Sequence, residues 1–269
     1  MTPGFAAKRL FVFDLDGTLY LGDRPIPGGA DFVRAAEAGE RSVTFVTNNS
    51  SRSPGSYEAK LARLGIPVRP GRVYTSGTLT AQLLAAREPR PRVLLLGTPD
   101  LAGQMAEAGL ALLAPGEIGD RPDVVVLGFD QTLTYDRLRA ADHWLRAGVE
   151  YVATHPDRVC PIPGGSIPDT GSMIELLAAS AGRRPDLVVG KPSPAMLDLV
   201  LEAEGATRAD TAMIGDRLST DIAMARAAGV FSVLVLTGEA TRADAEAAPA
   251  GQRPDLVVES VAELTDRLS

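Results

Sequence analysis

Residues 9–18 read Arg-Leu-Phe-Val-Phe-Asp-Leu-Asp-Gly-Thr, a short apolar run (Arg9 to Phe13) that gives way to two aspartates, Asp14 and Asp16, and then Gly17. So short a run, with no polar alternation, predicts a strand buried on both faces. Residues 42–46 make a second short run, also read as a buried strand, ending in Thr47-Asn48-Asn49-Ser50. Between the two, Phe32, Val33 and Ala36 recur at helical spacing and stop at Gly39, and after the second run Ser53-Pro54 opens another helix, with Tyr57, Leu61 and Leu64 on one face. Strand, helix, strand, helix is the alternation of an α/β domain with a parallel sheet.

The alternation resumes late in the chain, at Leu187 to Val189, Pro194 to Glu204, Thr211 to Ile214, Thr220 to Ala228, Phe231 to Leu236 and Leu256 to Val258. Ligands of open parallel sheets sit beyond the carboxyl ends of strands, so Asp14, Thr47 and Asp216 are expected at one edge of one sheet. The middle of the chain carries its own pattern of strands (Val93 to Leu96, Val124 to Leu127, Val149 to Ala153) and helices (Leu101 to Glu107, Tyr135 to Ala147, Met173 to Ala181). It is flanked by the Pro- and Arg-rich stretches 87–91 and 182–185, which suit linkers. The expected organisation is a Rossmann-like core of residues 1–77 and 185–269, interrupted by an inserted α/β cap domain of residues 78–184.

Composition narrows the function classes. With 45% hydrophobic and 23% charged residues among 269, the chain is neither disordered nor fibrous. Its net charge of −7, from 27 basic and 34 acidic residues, disfavours a broad nucleic-acid footprint. Apolar runs fall far short of the ~20 residues of a membrane span, and Asp14 ends the run after Lys8-Arg9 too early for a secretory signal. The single cysteine, Cys160, has no partner for an internal disulfide. A cytoplasmic protein acting on a small molecule is expected. No heptad or long apolar stripe requires an oligomer, and a homodimer stays open.

The chemistry concentrates in Asp14-Leu15-Asp16-Gly17-Thr18. Chance would place this five-residue pattern in roughly 0.2% of chains this long. A carboxylate can attack phosphorus to form an acyl phosphate, which divides one hard hydrolysis into two displacements. Asp14 is the candidate nucleophile. Asp16 is the candidate acid and base, protonating the leaving oxygen and then activating water. A site for phosphoryl transfer also needs cations, and Mg²⁺ held by one or two carboxylates is the usual answer. Asp216, in the Gly-Asp turn after a predicted strand, is assigned to that metal, and Asp221 to orienting the ligands. Lys191, in Gly-Lys-Pro-Ser-Pro, can neutralise phosphate charge. Its surroundings do not match a Walker loop, because Pro185 stands at the first glycine's place and Pro192 follows the lysine. Thr47, Asn48 and Asn49 offer a phosphate cradle. His155 follows a strand of the inserted domain, where it could reach a substrate, although exposure is the ordinary state of a loop histidine, and His143 lies inside a predicted helix as a packing or surface residue.

These motifs in this order resemble the haloacid dehalogenase-like hydrolase superfamily. The strings at residues 14–21, 45–50, 190–194 and 215–221 are similar to its class IIA branch of phosphatases. The resemblance spans essentially the whole chain and implies a C2-type cap, Asp14 as nucleophile and Asp16 as acid and base. It also implies Mg²⁺ on Asp14, the Asp16 carbonyl and Asp216, with phosphate contacts from Thr47, Asn48, Asn49 and Lys191. Thirty residues separate Asp16 from Thr47 but 143 separate Thr47 from Lys191, so the large insertion is the later one. That disfavours relatives with the earlier cap. Ser219 stands where the branch commonly has Asp. The expected activity is hydrolysis of a small phosphate monoester such as phosphoglycolate, glycerol phosphate, a sugar phosphate, pyridoxal phosphate or a nucleoside monophosphate. Phosphoryl transfer to a second substrate and non-catalytic binding of a phosphorylated metabolite are the alternatives.

Overall fold

The structure, a computed structural model, describes residues 4–162 and 164–269. Residues 1–3 of the expected core and Pro163 of the expected cap lie outside it. In chain order the strands are β1 (Leu10–Asp14), β2 (Tyr20–Leu21), β3 (Arg24–Pro25), β4 (Ser42–Thr47), β5 (Val73–Thr75), β6 (Arg92–Leu96), β7 (Ala111–Leu112) and β8 (Val124–Leu127). They continue as β9 (Glu150–Ala153), β10 (Val159–Ile162), β11 (Gly165–Pro168), β12 (Leu187–Val188), β13 (Thr211–Gly215), β14 (Phe231–Val235) and β15 (Leu256–Val258). The helices are α1 (Gly29–Ala38), α2 (Pro54–Arg63), α3 (Ser76–Ala85), α4 (Pro99–Glu107), α5 (Tyr135–Arg146), α6 (Thr170–Ala181), α7 (Pro194–Glu204), α8 (Ala223–Ala228) and α9 (Arg242–Ala247).

Contacts divide the chain into two units. The first takes the chain up to Thr47, Gly55–Tyr74 and Lys191–Ser269, and the second takes Asn48–Pro54 and Thr75–Gly190. In the first unit a six-stranded sheet runs in the order β15-β14-β13-β1-β4-β5. Strand β1 pairs in parallel with β13 on one side and β4 on the other, with Phe13 level with Ile214 and Asp14 level with Val46. The chain therefore builds outward from β1 in both directions, and the sheet's switch point lies between β1 and β13. That is where a doubly wound sheet opens a crevice at its carboxyl edge.

Every residue of β1 is buried, as a central parallel strand covered on both faces requires. Phe11 and Phe13 share one face, two residues apart, and meet Phe32 of α1 edge-on at ring distances of 5.0 and 5.2 Å. Phe5 joins them at 5.1 Å from Phe11. This aromatic cluster fixes α1 against the strand that carries the two aspartates.

The second unit has a five-stranded sheet in the order β12-β9-β8-β6-β7 and a separate hairpin of β10 and β11. Its core is built from Leu94, Leu96, Val125, Leu127 and Tyr151 of the sheet against Ala141, Leu145, Ile174 and Leu177 of α5 and α6. Here the structure corrects two expectations. The run at Leu187 to Val189, read as a strand of the first sheet, yields β12, which pairs in parallel with β9 (Leu187 with Val152, Val188 with Ala153). Burial of a short apolar run does not say which sheet buries it. As a result the second unit extends to Gly190 instead of ending near 184, and it also claims Asn48–Pro54, from the loop expected in the core.

Phe32 has no exposed surface and three aromatic neighbours. Phe32→Ala is expected to cost about 3–5 kcal/mol of stability by leaving a cavity under β1. A lowered urea midpoint by circular dichroism is the check.

Candidate active site

Strand β1 delivers Asp14 to the carboxyl edge of the first sheet, and β13 delivers Asp216 one residue past its own end, across the switch point. After Arg217 the chain makes a wide π-type turn, Leu218–Ile222, before α8 begins. That turn brings Asp221 back toward the strand ends. One carboxylate oxygen each from Asp14, Asp216 and Asp221 lies within 4.8 Å of the other two, and all three residues are buried. Buried Lys191 donates hydrogen bonds to Asp14 Oδ1 and to Asp221 Oδ1, the latter at 2.7 Å. The second oxygen of Asp221 accepts from the Arg217 N–H at 3.1 Å. Asp221 thus anchors Lys191 and reaches the same oxygen cluster.

Asp216 is held differently. Its Oδ2 accepts from the Glu239 N–H at 2.8 Å, while its Oδ1 is buried and has no hydrogen-bond partner. Two glycines make room for it. A Cβ on Gly17 or on Gly238 would overlap the Asp216 carboxylate, and Gly17 also takes a positive φ of 85° in the turn after β1. The Thr237 hydroxyl donates to the Gly17 carbonyl at 2.6 Å and ties the two loops together. Thr237, Gly238 and Glu239 were not among the residues singled out in the sequence. Their signal was a Thr-Gly-Glu stretch just past the carboxyl end of a predicted strand, the position that flagged Asp14 and Asp216.

Three buried carboxylates share one ammonium. Burial holds Asp14 above the usual carboxylate range; Lys191 opposes this, and Asp221 and Asp216 add to it. Asp216 is raised by burial first and by Asp221 second, against the Glu239 N–H. Burial alone would lower Lys191, but Asp14 and Asp221 outweigh it and hold the ammonium above its ordinary value. The surplus of negative charge, the hard oxygen donors and the unpartnered Asp216 Oδ1 all fit a small divalent cation. Asp16 contributes no carboxylate oxygen to that group. Its side chain reaches solvent, yet the surrounding loop desolvates it enough to raise its carboxyl, against Lys60, Arg217 and the Gly17 N–H. A carboxyl raised in this way can keep a proton for donation.

Thr47 ends β4 and is buried in the first unit. Asn48 and Asn49 belong to the second, where their side chains shape the loop: Asn48 Nδ2 donates to Asp157 at 3.1 Å, and Asn49 Oδ1 accepts from the Ser51 N–H and hydroxyl at 2.9 and 2.8 Å. His155 is also in the second unit and has no exposed surface, contrary to the ordinary state of a loop histidine. His143 lies in α5 with its ring edge-on to Trp144 at 4.7 Å, a packing role.

A family model described as haloacid dehalogenase-like hydrolase matches residues 11–111, and a second, described as HAD-hydrolase-like, matches residues 188–264. Human chronophin is 37% identical over 96% of this chain and 92% of its own length. Among solved structures, a 4-nitrophenylphosphatase from Thermotoga maritima superposes with a TM-score of 0.91 at 42% identity, covering 98% of this chain and 99% of that one. A glycerol phosphate phosphatase from Mycobacterium tuberculosis in complex with magnesium gives a TM-score of 0.88 at 36% identity, covering 98% of this chain and 79% of that one.

The charge surplus predicts a stability signature. Asp14 and Asp216 both titrate above their unfolded values, so their contribution is favourable at low pH and is lost as pH rises through the folded-state values. In chelator-treated protein, Asp216→Asn is expected to raise stability by about 1–3 kcal/mol near pH 8 and by less near pH 5. Mg²⁺ is expected to raise the melting temperature of wild type, more near pH 8 because ligands must be deprotonated, and the same substitution is expected to remove most of that rise. Thermal melts at both pH values, with and without Mg²⁺, read both effects.

Proposed function

The chain belongs to the haloacid dehalogenase-like hydrolases and is a phosphatase, and from that premise we propose that it hydrolyses a small organic phosphate monoester through a phosphoaspartate on Asp14. The observation that carries this reading is the pairing of Asp14 with Lys191 inside a buried, cation-deficient carboxylate cluster. A carboxylate held by an ammonium, with an acid-competent aspartate two residues on, suits two successive displacements at phosphorus. A chain that only bound phosphate would gain nothing from the proton-donating Asp16.

In the first step an Asp14 oxygen bonds to phosphorus as the ester P–O bond breaks, and Asp16 gives its proton to the departing alkoxide. In the second, Asp16 takes a proton from water as the water oxygen bonds to phosphorus. The Asp14 O–P bond then breaks, and inorganic phosphate leaves. Lys191 balances the charge on Asp14 and on the phosphoryl oxygens, oriented by Asp221. Thr47, Asn48 and Asn49 are assigned to the phosphate. Asp14, the Asp16 carbonyl and Asp216 would hold Mg²⁺, which when bound neutralises phosphate charge and relieves the carboxylate surplus. The identity of about one third to the glycerol phosphate phosphatase makes glycerol phosphate the first substrate to try.

Phosphate release should be followed from glycerol phosphate, phosphoglycolate, a sugar phosphate, pyridoxal phosphate, a nucleoside monophosphate and 4-nitrophenyl phosphate. Turnover is expected with Mg²⁺ and not with chelator. Asp14→Asn should abolish it, and Asp16→Asn should lower kcat by about 10²–10⁴-fold. Release that survives in purified Asp14→Asn would remove Asp14 from the nucleophile's role, and ester binding without turnover would favour the non-catalytic reading.

A further inference from the structure

The loop Asn48–Pro54 follows directly on β4, yet it is gripped by the second unit along its length. The Phe129 N–H donates to Ser50 Oγ at 2.9 Å, Thr98 Oγ1 donates to the Ser51 carbonyl at 3.0 Å, and Gln104 Nε2 donates to the Arg52 carbonyl at 3.4 Å. At the start of the loop the grip is tighter. Ser76 Oγ, in the first turn of α3, donates to the Asn48 carbonyl at 2.5 Å, and the Asn48 side chain donates to Asp157.

His155 stands behind these contacts. Its Nε2 donates to Asp169 Oδ1 at 2.9 Å, and Asp169 is itself fixed as the cap of α6, accepting from the Thr170 N–H at 2.5 Å. On the other side of the ring, Nδ1 meets Thr154 Oγ1 at 2.9 Å and Ser76 Oγ at 3.4 Å. Thr154 Oγ1 in turn donates to Ser50 Oγ at 3.1 Å. The imidazole therefore touches the side chain that holds the Asn48 carbonyl and the one that holds Ser50. His155, Thr154, Ser76 and Ser50 have no exposed surface, and Asp169 has 4%. A buried imidazole must find hydrogen-bond partners, and the fold decides which groups those are. This one joins the fixed end of α6 to the loop proposed to receive phosphate.

We propose that His155 is a positioning residue: through Ser76 and Thr154 it sets the backbone of Asn48–Ser50, and so the enzyme's affinity for phosphate. The inference rests on the proposed role of Asn48 and Asn49 as phosphate contacts. Geometry set at one remove is costly to lose, since a displacement near 1 Å at a reacting group can reduce rate by about 10²-fold.

The test uses the full-length, Mg²⁺-loaded enzyme and inorganic phosphate as competitive inhibitor of 4-nitrophenyl phosphate hydrolysis. His155→Gln and Ser76→Ala are each expected to raise the phosphate Ki and the KM by about 10-fold or more, with a smaller change in kcat. The double variant should lose little beyond the worse single one, because both act through one contact chain. Tyr151→Phe, which alters the same core outside the network, controls for general loosening and should leave Ki unchanged. An unchanged Ki in both single variants, or effects that multiply in the double variant, would overturn the positioning role. Asn48→Ala separates the two readings. If it leaves Ki unchanged, the loop does not bind phosphate and the inference falls with that assignment. If it raises Ki while His155→Gln and Ser76→Ala do not, the inference alone falls. Ser76→Ala leaves the imidazole intact and so keeps the question decidable if His155→Gln does not fold.

Discussion

Three buried carboxylates facing one ammonium is an arrangement a folding chain resists, and the first unit is organised around tolerating it. Removing charge from water costs several kcal/mol per ion unless hydrogen bonds and opposite charge compensate. Lys191 compensates Asp14 and Asp221, backbone N–H groups compensate Asp221 and Asp216, and one oxygen of Asp216 is left without a partner. The remaining deficit falls where a divalent cation can make it up. The fold therefore holds a charge deficit that the cation proposed for this site would make up. Such local cost persists only where the surrounding structure overrides it. The Phe5, Phe11, Phe13 and Phe32 cluster beneath β1 is the override, because it fixes the strand from which Asp14 projects.

Much of this was legible because the chemistry sits at strand ends. A parallel strand announces itself as an apolar run, and its carboxyl end is the residue where the run stops. The sequence pattern alone thus puts Asp14, Thr47 and Asp216 on one edge of one sheet. What the sequence conveyed poorly was partnership. The run at Leu187 to Val189 has the same apolar character as the other short strands, and only its pairing with β9 shows which sheet it joins. The hold on Asp216 by the Glu239 N–H was hidden for a related reason. Backbone donors carry no residue identity, so a loop that supplies them looks like any other polar turn. His155 was misleading in the opposite sense, since its neighbours in sequence are those of an exposed loop. Its burial comes from Asp169 and Ser76, which are 14 and 79 residues away.

The two parallel sheets put equivalent positions to different use. In the first, the ends of β1 and β13 present Asp14 and Asp216, both buried, and one oxygen of Asp216 has no partner. In the second, the loops beyond β6, β8 and β9 carry Thr98, Phe129, Thr154 and His155, whose polar groups are spent on hydrogen bonds to the chain's own Ser50 and Ser51 or, for His155, to Ser76 and Asp169. A crevice at the carboxyl edge of a parallel sheet is a ready site for a ligand. Here the ligand is the polypeptide itself, held by hydrogen bonds to the hydroxyl of Ser50 and the carbonyl of Ser51. Satisfied networks of this kind stiffen what they hold, because every member must move for one to move. Stiffness is what a phosphate-receiving loop needs. Its donors point at an anion only if their directions are set in advance, and a short loop of asparagine and serine has no apolar side chains of its own with which to set them.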